Sequence, residues 1–133
     1  SLPALIACQA KVLITGEDGS SRELPIESFC TAPGKNVLGR GELVEALVLP
    51  APRANSSGCY LRFIPRYEMD IAVVGCGSVL AVDGGKITYA RIGLGAVAPT
   101  PVVAEEASRW LVGQPASKES FGKAGELAKK VAK

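Results

Sequence analysis

The residues able to do chemistry are few in this chain, and their spacing excludes more than it suggests. Its 133 residues include no histidine. An imidazole base, an imidazole metal ligand and a Ser-His-Asp triad are therefore excluded within it. The four cysteines, Cys8, Cys30, Cys59 and Cys76, form no C-x-x-C pair and no metal-ligand spacing. They read as reduced, partly buried thiols of a cytoplasmic protein. Glu105 and Glu106 form a carboxylate pair, but a place in the first turns of a helix, where the macrodipole favours anions, accounts for them without catalysis.

Two further constellations carry charge or glycine. Arg62, Arg66, Glu68 and Asp70 fall in one short stretch. They read either as a polar loop lining a cofactor or partner surface or as a surface corner with local ion pairs, and composition favours the corner. Gly93-Leu94-Gly95-Ala96-Val97-Ala98 matches GxGxxA after an expected strand. A dinucleotide fingerprint needs a helix to begin there, and Pro99-Thr100-Pro101 forbids one. The glycines are better explained as places where backbone packs closely against a helix.

The elements that must position these residues follow from pattern. Ala10–Thr15 reads as a strand, Asp18-Gly19 as a hairpin turn and Ser21–Leu24 as the return strand. Pro25–Phe29 reads as one helical turn, Thr31–Arg40 as a loop and Glu42–Leu49 as a further strand. Pro50–Gly58, with two prolines and a small polar tail, is the candidate linker. An extended segment, Cys59–Arg66, follows. The apolar run Ile71–Val82, the Asp83-Gly84-Gly85 turn and Lys86–Leu94 read as a hairpin, with Ile87, Tyr89, Arg91 and Gly93 alternating against Thr88, Ala90, Ile92 and Leu94. Thr100-Pro101 reads as a helix start, with Val103, Ala107, Trp110 and Leu111 on one face and Gly113 closing it. Ser117 caps a second helix with Phe121, Ala124, Ala128 and Val131 as its stripe, expected to run to the last residue. Strands followed by helices make an α+β fold.

Nearly half of the residues, 47%, are apolar, enough for a core, and the net charge of +2 argues against nucleic acid as the main partner. Lys129, Lys130 and Lys133 alternate with apolar positions and read as the solvated face of a helix. The apolar opening residues have no basic stretch before them, so no signal peptide is expected, and no run of about 20 apolar residues suggests a membrane span.

Two blocks are more specific than any of these patterns. Arg62–Gly75, containing Arg66-Tyr67-Glu68-Met69-Asp70-Ile71-Ala72, and Ala90–Pro101, containing Ile92-Gly93-Leu94-Gly95 and Val97-Ala98-Pro99-Thr100-Pro101, flank an Asp-Gly-Gly hairpin. Together with Gly34-Lys35 and Gly41-Glu42-Leu43-Val44, they closely resemble the FAD-carrying medium subunit of the molybdenum hydroxylases, a family that includes xanthine dehydrogenase and aerobic carbon monoxide dehydrogenase. The resemblance covers essentially the whole chain. It implies the end of a FAD-binding domain over residues 1–50, a linker over 51–58 and a small α+β domain over 59–133. That domain has antiparallel strands packed on helices, as in the CO dehydrogenase flavoprotein C-terminal domain, and lacks the family's last helix. The family's Gly-rich pyrophosphate segments lie upstream of the matching region.

The resemblance also implies roles. Arg62 stands where the family has a cation that contacts FAD, and Val44 where an apolar residue packs on the cofactor. Arg66, Asp70 and Ile71 belong to the loop beside the isoalloxazine; plain core packing remains open for Ile71. The implied partners are a molybdenum-containing large subunit and a [2Fe-2S] small subunit, as a dimer of heterotrimers in the cytoplasm. Electrons from substrate would pass through the [2Fe-2S] clusters to FAD. Two other readings stand beside this one: a stand-alone α+β interaction domain without redox activity, and a nucleotide-binding domain using the Gly93–Ala98 loop.

Overall fold

The structure is a computed structural model and describes residues 1–66 and 71–132. It opens on a helix that periodicity did not reveal, because six residues are too few to show a period. This helix, α1 (Leu2–Ala7), carries Pro3 in its first turn, where a missing N–H costs nothing. Gln9, with a left-handed φ of 56°, turns the chain out of it. β1 (Lys11–Gly16) then pairs antiparallel with β2 (Ser21–Pro25) across the expected turn, where Gly19 has a φ of 78°. A 3-10 turn at Ile26–Ser28 is the expected single helical turn.

The segment expected as a loop holds a small hairpin, β3 (Cys30–Ala32) and β4 (Lys35–Asn36), around Gly34 at φ 70°. β5 (Glu42–Val48) returns along the other side of β1, giving the order β2-β1-β5. Val12 and Ile14 of the central strand are buried with Ile6 of α1, Ala10 and Ile26.

The second sheet has four strands in the order β6-β7-β8-β9. β6 (Ser56–Phe63), β7 (Val74–Asp83) and β8 (Lys86–Gly95) run antiparallel, and the Gly84-Gly85 turn closes the expected hairpin with φ values of 54° and 77°. The simple alternation along β8 does not hold. Ala81 faces Tyr89 but Val82 faces Ile87, so the register slips by one and Thr88 is left between. The slip moves every later residue to the opposite face. Ile87 therefore shares its core with Ala90, Ile92 and Leu94, not with Tyr89 and Arg91.

Thr100-Pro101 does not start the helix. β9 (Val102–Val103) first pairs with Leu94 and Gly93, and α2 (Glu105–Leu111) begins after Ala104. Backbone pairing with the sheet wins over the capping signal at Thr100. Ser108 then ties the helix to the strand: its buried Oγ accepts the Ile92 N–H at 3.0 Å and donates to the Ala104 carbonyl at 2.8 Å. Gly113, at φ 87°, follows the helix end as expected.

α3 (Lys118–Lys129) is capped by Ser117, whose side chain accepts the Ser120 N–H. It buries Ala124 and Leu127, while Phe121, expected in the stripe, is largely exposed. The helix stops at Lys129, short of the chain end, and Lys133 lies outside the described residues. One face of the second sheet is covered by α2 and α3. The other face receives α1, which so sits between the two sheets.

Candidate functional site

The site is easiest to build from edge strand β6. Arg62 pairs with Gly75 and stands exposed, on the face that receives α1; Tyr60, opposite Gly77, stands beside it. Past the strand, Arg62, Phe63, Ile64, Pro65 and Arg66 line a groove of about 380 Å³. The chain returns through Ile71 and is pinned where the Val73 N–H donates to the Phe63 carbonyl at 2.9 Å. Ile71 is 90% exposed, which excludes plain core packing as its role within this chain. Asp70, with Tyr67, Glu68 and Met69, lies outside the described residues. The structure thus brings Arg62 and Arg66 together, and Ile71 stands where the described residues resume after them.

Val44 stands on the other sheet. It pairs with Ile14 on β1 and shares the face of Val12 and Ile14 that packs on Ile6 of α1. At the edge of that core it is 39% exposed, and Leu47 on the same face is 49% exposed. Val44 and Arg62 therefore stand on different sheets, each on the face that its sheet turns toward α1. Val44 and Ile71 offer exposed apolar surface and Arg62 and Arg66 positive charge, the chemistry that a flat apolar ring with a polar or phosphate-bearing edge requires.

The stretch before Val44 is fixed by charge. Arg22 donates to both Glu42 carboxylate oxygens, Nε to Oε1 and Nη2 to Oε2, each at 2.8 Å, and Gly39 N–H adds a third donor at 2.6 Å. The Arg22 hydrogen bond, then the Gly39 N–H, hold the Glu42 carboxyl down at about 2. Arg22 also donates to the Val37 carbonyl, so one fork fastens the 37–42 loop to β2.

The joint between the sheets was not visible in the sequence. Three strand glycines take up α1: a Cβ on Gly77 would lie 2.4 Å from the Pro3 carbonyl oxygen, one on Gly93 2.6 Å from the same atom, and one on Gly95 2.8 Å from the Pro3 ring. The expected use of Gly93 and Gly95 in close helix packing holds, and the chain after Gly95 bends into β9, so no helix begins at the Gly93–Ala98 loop. Beside them Arg91 donates from Nε to the Ile6 carbonyl at 2.8 Å and from Nη2 to Glu27 Oε1 at 2.6 Å. Further along, the Arg53 guanidinium lies 4.1 Å from the centre of the Tyr89 ring. The sequence signal for α1 docking was the run of glycines alone; nothing marked Arg91 or Glu27.

Among the described residues no group of three or more His, Cys, Asp or Glu side chains could hold a metal ion. No described helix is long and apolar enough to cross a membrane.

Comparison with known proteins gives the same answer from both parts of the chain. Residues 1–52 match the FAD binding domain in molybdopterin dehydrogenase, and residues 60–133 the CO dehydrogenase flavoprotein C-terminal domain. The carbon monoxide dehydrogenase medium chain of Afipia carboxidovorans is 34% identical over 131 residues, covering 98% of this chain and 45% of that protein. The xanthine dehydrogenase FAD-binding subunit of Escherichia coli O157:H7 is 32% identical over 89 residues, 66% of this chain and 30% of that one. The crystal structure of a cyanide-inactivated Cu,Mo-CO dehydrogenase superposes with a TM-score of 0.90 at 32% identity, covering 100% of this chain and 46% of the solved one. The chain thus spans less than half the length of these relatives. With both halves matched in order and the fold reproduced from end to end, the chain belongs to the family of FAD-binding medium subunits of the molybdenum hydroxylases.

Proposed function

We propose that these residues form one wall of the flavin site in the FAD-carrying subunit of a molybdenum hydroxylase. The observation that carries this reading is the match of residues 1–52 and 60–133 to the two family domains in sequence order. In this reading residues 1–50 are the end of the FAD-binding domain, 51–58 the linker, whose last three residues already pair in β6, and 59–133 the C-terminal domain. Arg62 and Arg66 supply positive charge to the cofactor's polar edge, Val44 and Ile71 give apolar contact to the ring, and Asp70 belongs to the same loop. Covering the ring with aliphatic side chains keeps water from it, which tunes its potential and access. FAD, held by these residues, would supply the redox chemistry that links the [2Fe-2S] clusters to an external acceptor. The clusters and the molybdenum cofactor belong to small and large partner subunits, in a cytoplasmic dimer of heterotrimers.

The test is a flavin titration of the full-length subunit. Arg62→Ala is expected to raise the FAD dissociation constant roughly tenfold to a hundredfold, as for a hydrogen bond to a charged group. The 133-residue chain alone is expected to bind FAD weakly, since the family's pyrophosphate segments are not in it. Tight stoichiometric binding by this chain, or unchanged affinity in the Arg62 variant, would overturn the proposed wall.

A further inference from the structure

We infer that Arg91 is a positioning residue for the flavin site. This rests on the reading above and adds a device that holds the two sides of the wall in register. Val44 and Arg62 stand on different sheets, and α1 packs against both. Ile6 packs on Val12 and Ile14, the strand that pairs with Val44. Pro3 sits on Gly77, Gly93 and Gly95, in the sheet whose edge carries Arg62. The geometry between Val44 and Arg62 therefore depends on how α1 is seated.

Packing on glycine is close but offers little to define direction. Arg91 supplies it. Its guanidinium reaches from β8 to the Ile6 carbonyl near the end of α1, and to Glu27 in the 3-10 turn after β2. One planar group so joins the second sheet, the helix and the turn that follows the first sheet's hairpin. The contact is shielded: the Arg91 and Glu27 side chains are 16% and 27% exposed. Glu27 Oε2 is buried with no hydrogen-bond partner among the described residues, so the carboxylate depends on Arg91. Helix α1 also places Ala10, whose carbonyl accepts the Ile26 N–H at 3.0 Å, so the turn carrying Glu27 is itself fastened to the end of the helix segment.

The experiment uses the full-length subunit with FAD and compares Arg91→Met, Arg91→Lys, Glu27→Gln and, as a control for stability alone, Leu111→Ala. Leu111 is buried in the core on the opposite face of the second sheet. The readouts are FAD affinity, the visible circular dichroism of bound flavin, and Tm. Arg91→Met is expected to weaken FAD about tenfold and to change the flavin dichroism. Arg91→Lys, which keeps the charge but has no second arm, and Glu27→Gln should fall between it and wild type. Leu111→Ala should lower Tm yet leave affinity and dichroism as in wild type. If the Arg91 and Glu27 variants lower Tm and leave the flavin signals untouched, Arg91 is structural only and the inference fails. Should Arg91→Met not fold, the Lys and Gln variants decide by the same two signals. A wild-type subunit that binds no FAD would instead sink the flavin-site reading itself.

Discussion

The backbone of Pro3 lies so close to Gly77 that a Cβ on the glycine would stand 2.4 Å from the Pro3 carbonyl oxygen and 2.6 Å from its carbonyl carbon. Both atoms are backbone and cannot swing aside. Gly77→Ala must therefore lift α1 from the sheet, and a loss of about 1–3 kcal/mol is expected, as for overpacking of a close-packed core. Gly122, inside α3, has open space where its Cβ would be. Gly122→Ala is expected to stabilise by about 0.5–1 kcal/mol through helix propensity. Urea unfolding of the two variants beside wild type checks both signs at once; equal and small shifts would contradict the close approach.

Glu42 gives a pH dependence with a definite sign. Arg22, then the Gly39 N–H, lower its carboxyl from the ordinary 4.5 to about 2 in the folded chain. A folded-state value below the unfolded one means stability that is fully present above pH 4.5 and lost as pH falls through 2. Glu42→Gln should remove that contribution. The difference in stability between wild type and variant is expected to be steady at neutral pH and to shrink as the solution is acidified through that window. Thermal melts at a series of pH values measure it, and a difference that grew on acidification would refute the ion-pair account.

The four thiols should react in two classes. Cys8 and Cys59 are exposed, while Cys30 and Cys76 are partly buried, and all four are free. Burial, with Cys59 nearby, raises the Cys76 thiol above its ordinary value, so less of it is thiolate at neutral pH. Timed alkylation of the native chain with mass readout is expected to modify Cys8 and Cys59 first and Cys76 last. Early modification of Cys76 would place it in a more open setting than β7 provides.

The α+β architecture was legible because most of its signals are local. Asp18-Gly19 and Gly84-Gly85 need only neighbouring residues to make their turns, and both hairpins form where expected. Ser117 and Gly113 likewise act within one helical turn. What the sequence hid is non-local. The slip at Thr88 follows from pairing with Ala81 and Val82 and leaves no trace in the strand's own pattern. Thr100-Pro101 is a sound helix start until Val102 and Val103 find β8. Arg62, Arg66, Val44 and Ile71 came from family likeness, and composition alone favoured an ordinary surface corner for the arginines. Arg91 looked like one more polar residue of a strand until its partner, 85 positions away in α1, was seen.

That distance has a consequence for the order in which the molecule can be made. Helix α1 leaves the ribosome before the strands that receive it. Until β8 is complete, Ile6 has no Arg91 to bind its carbonyl, and Pro3 has no glycine trough to lie in. A helix of six residues does not persist alone in water. Closing so long a loop is also slow compared with forming a hairpin. Within this chain α1 therefore cannot take its seat until the second sheet has emerged to receive it.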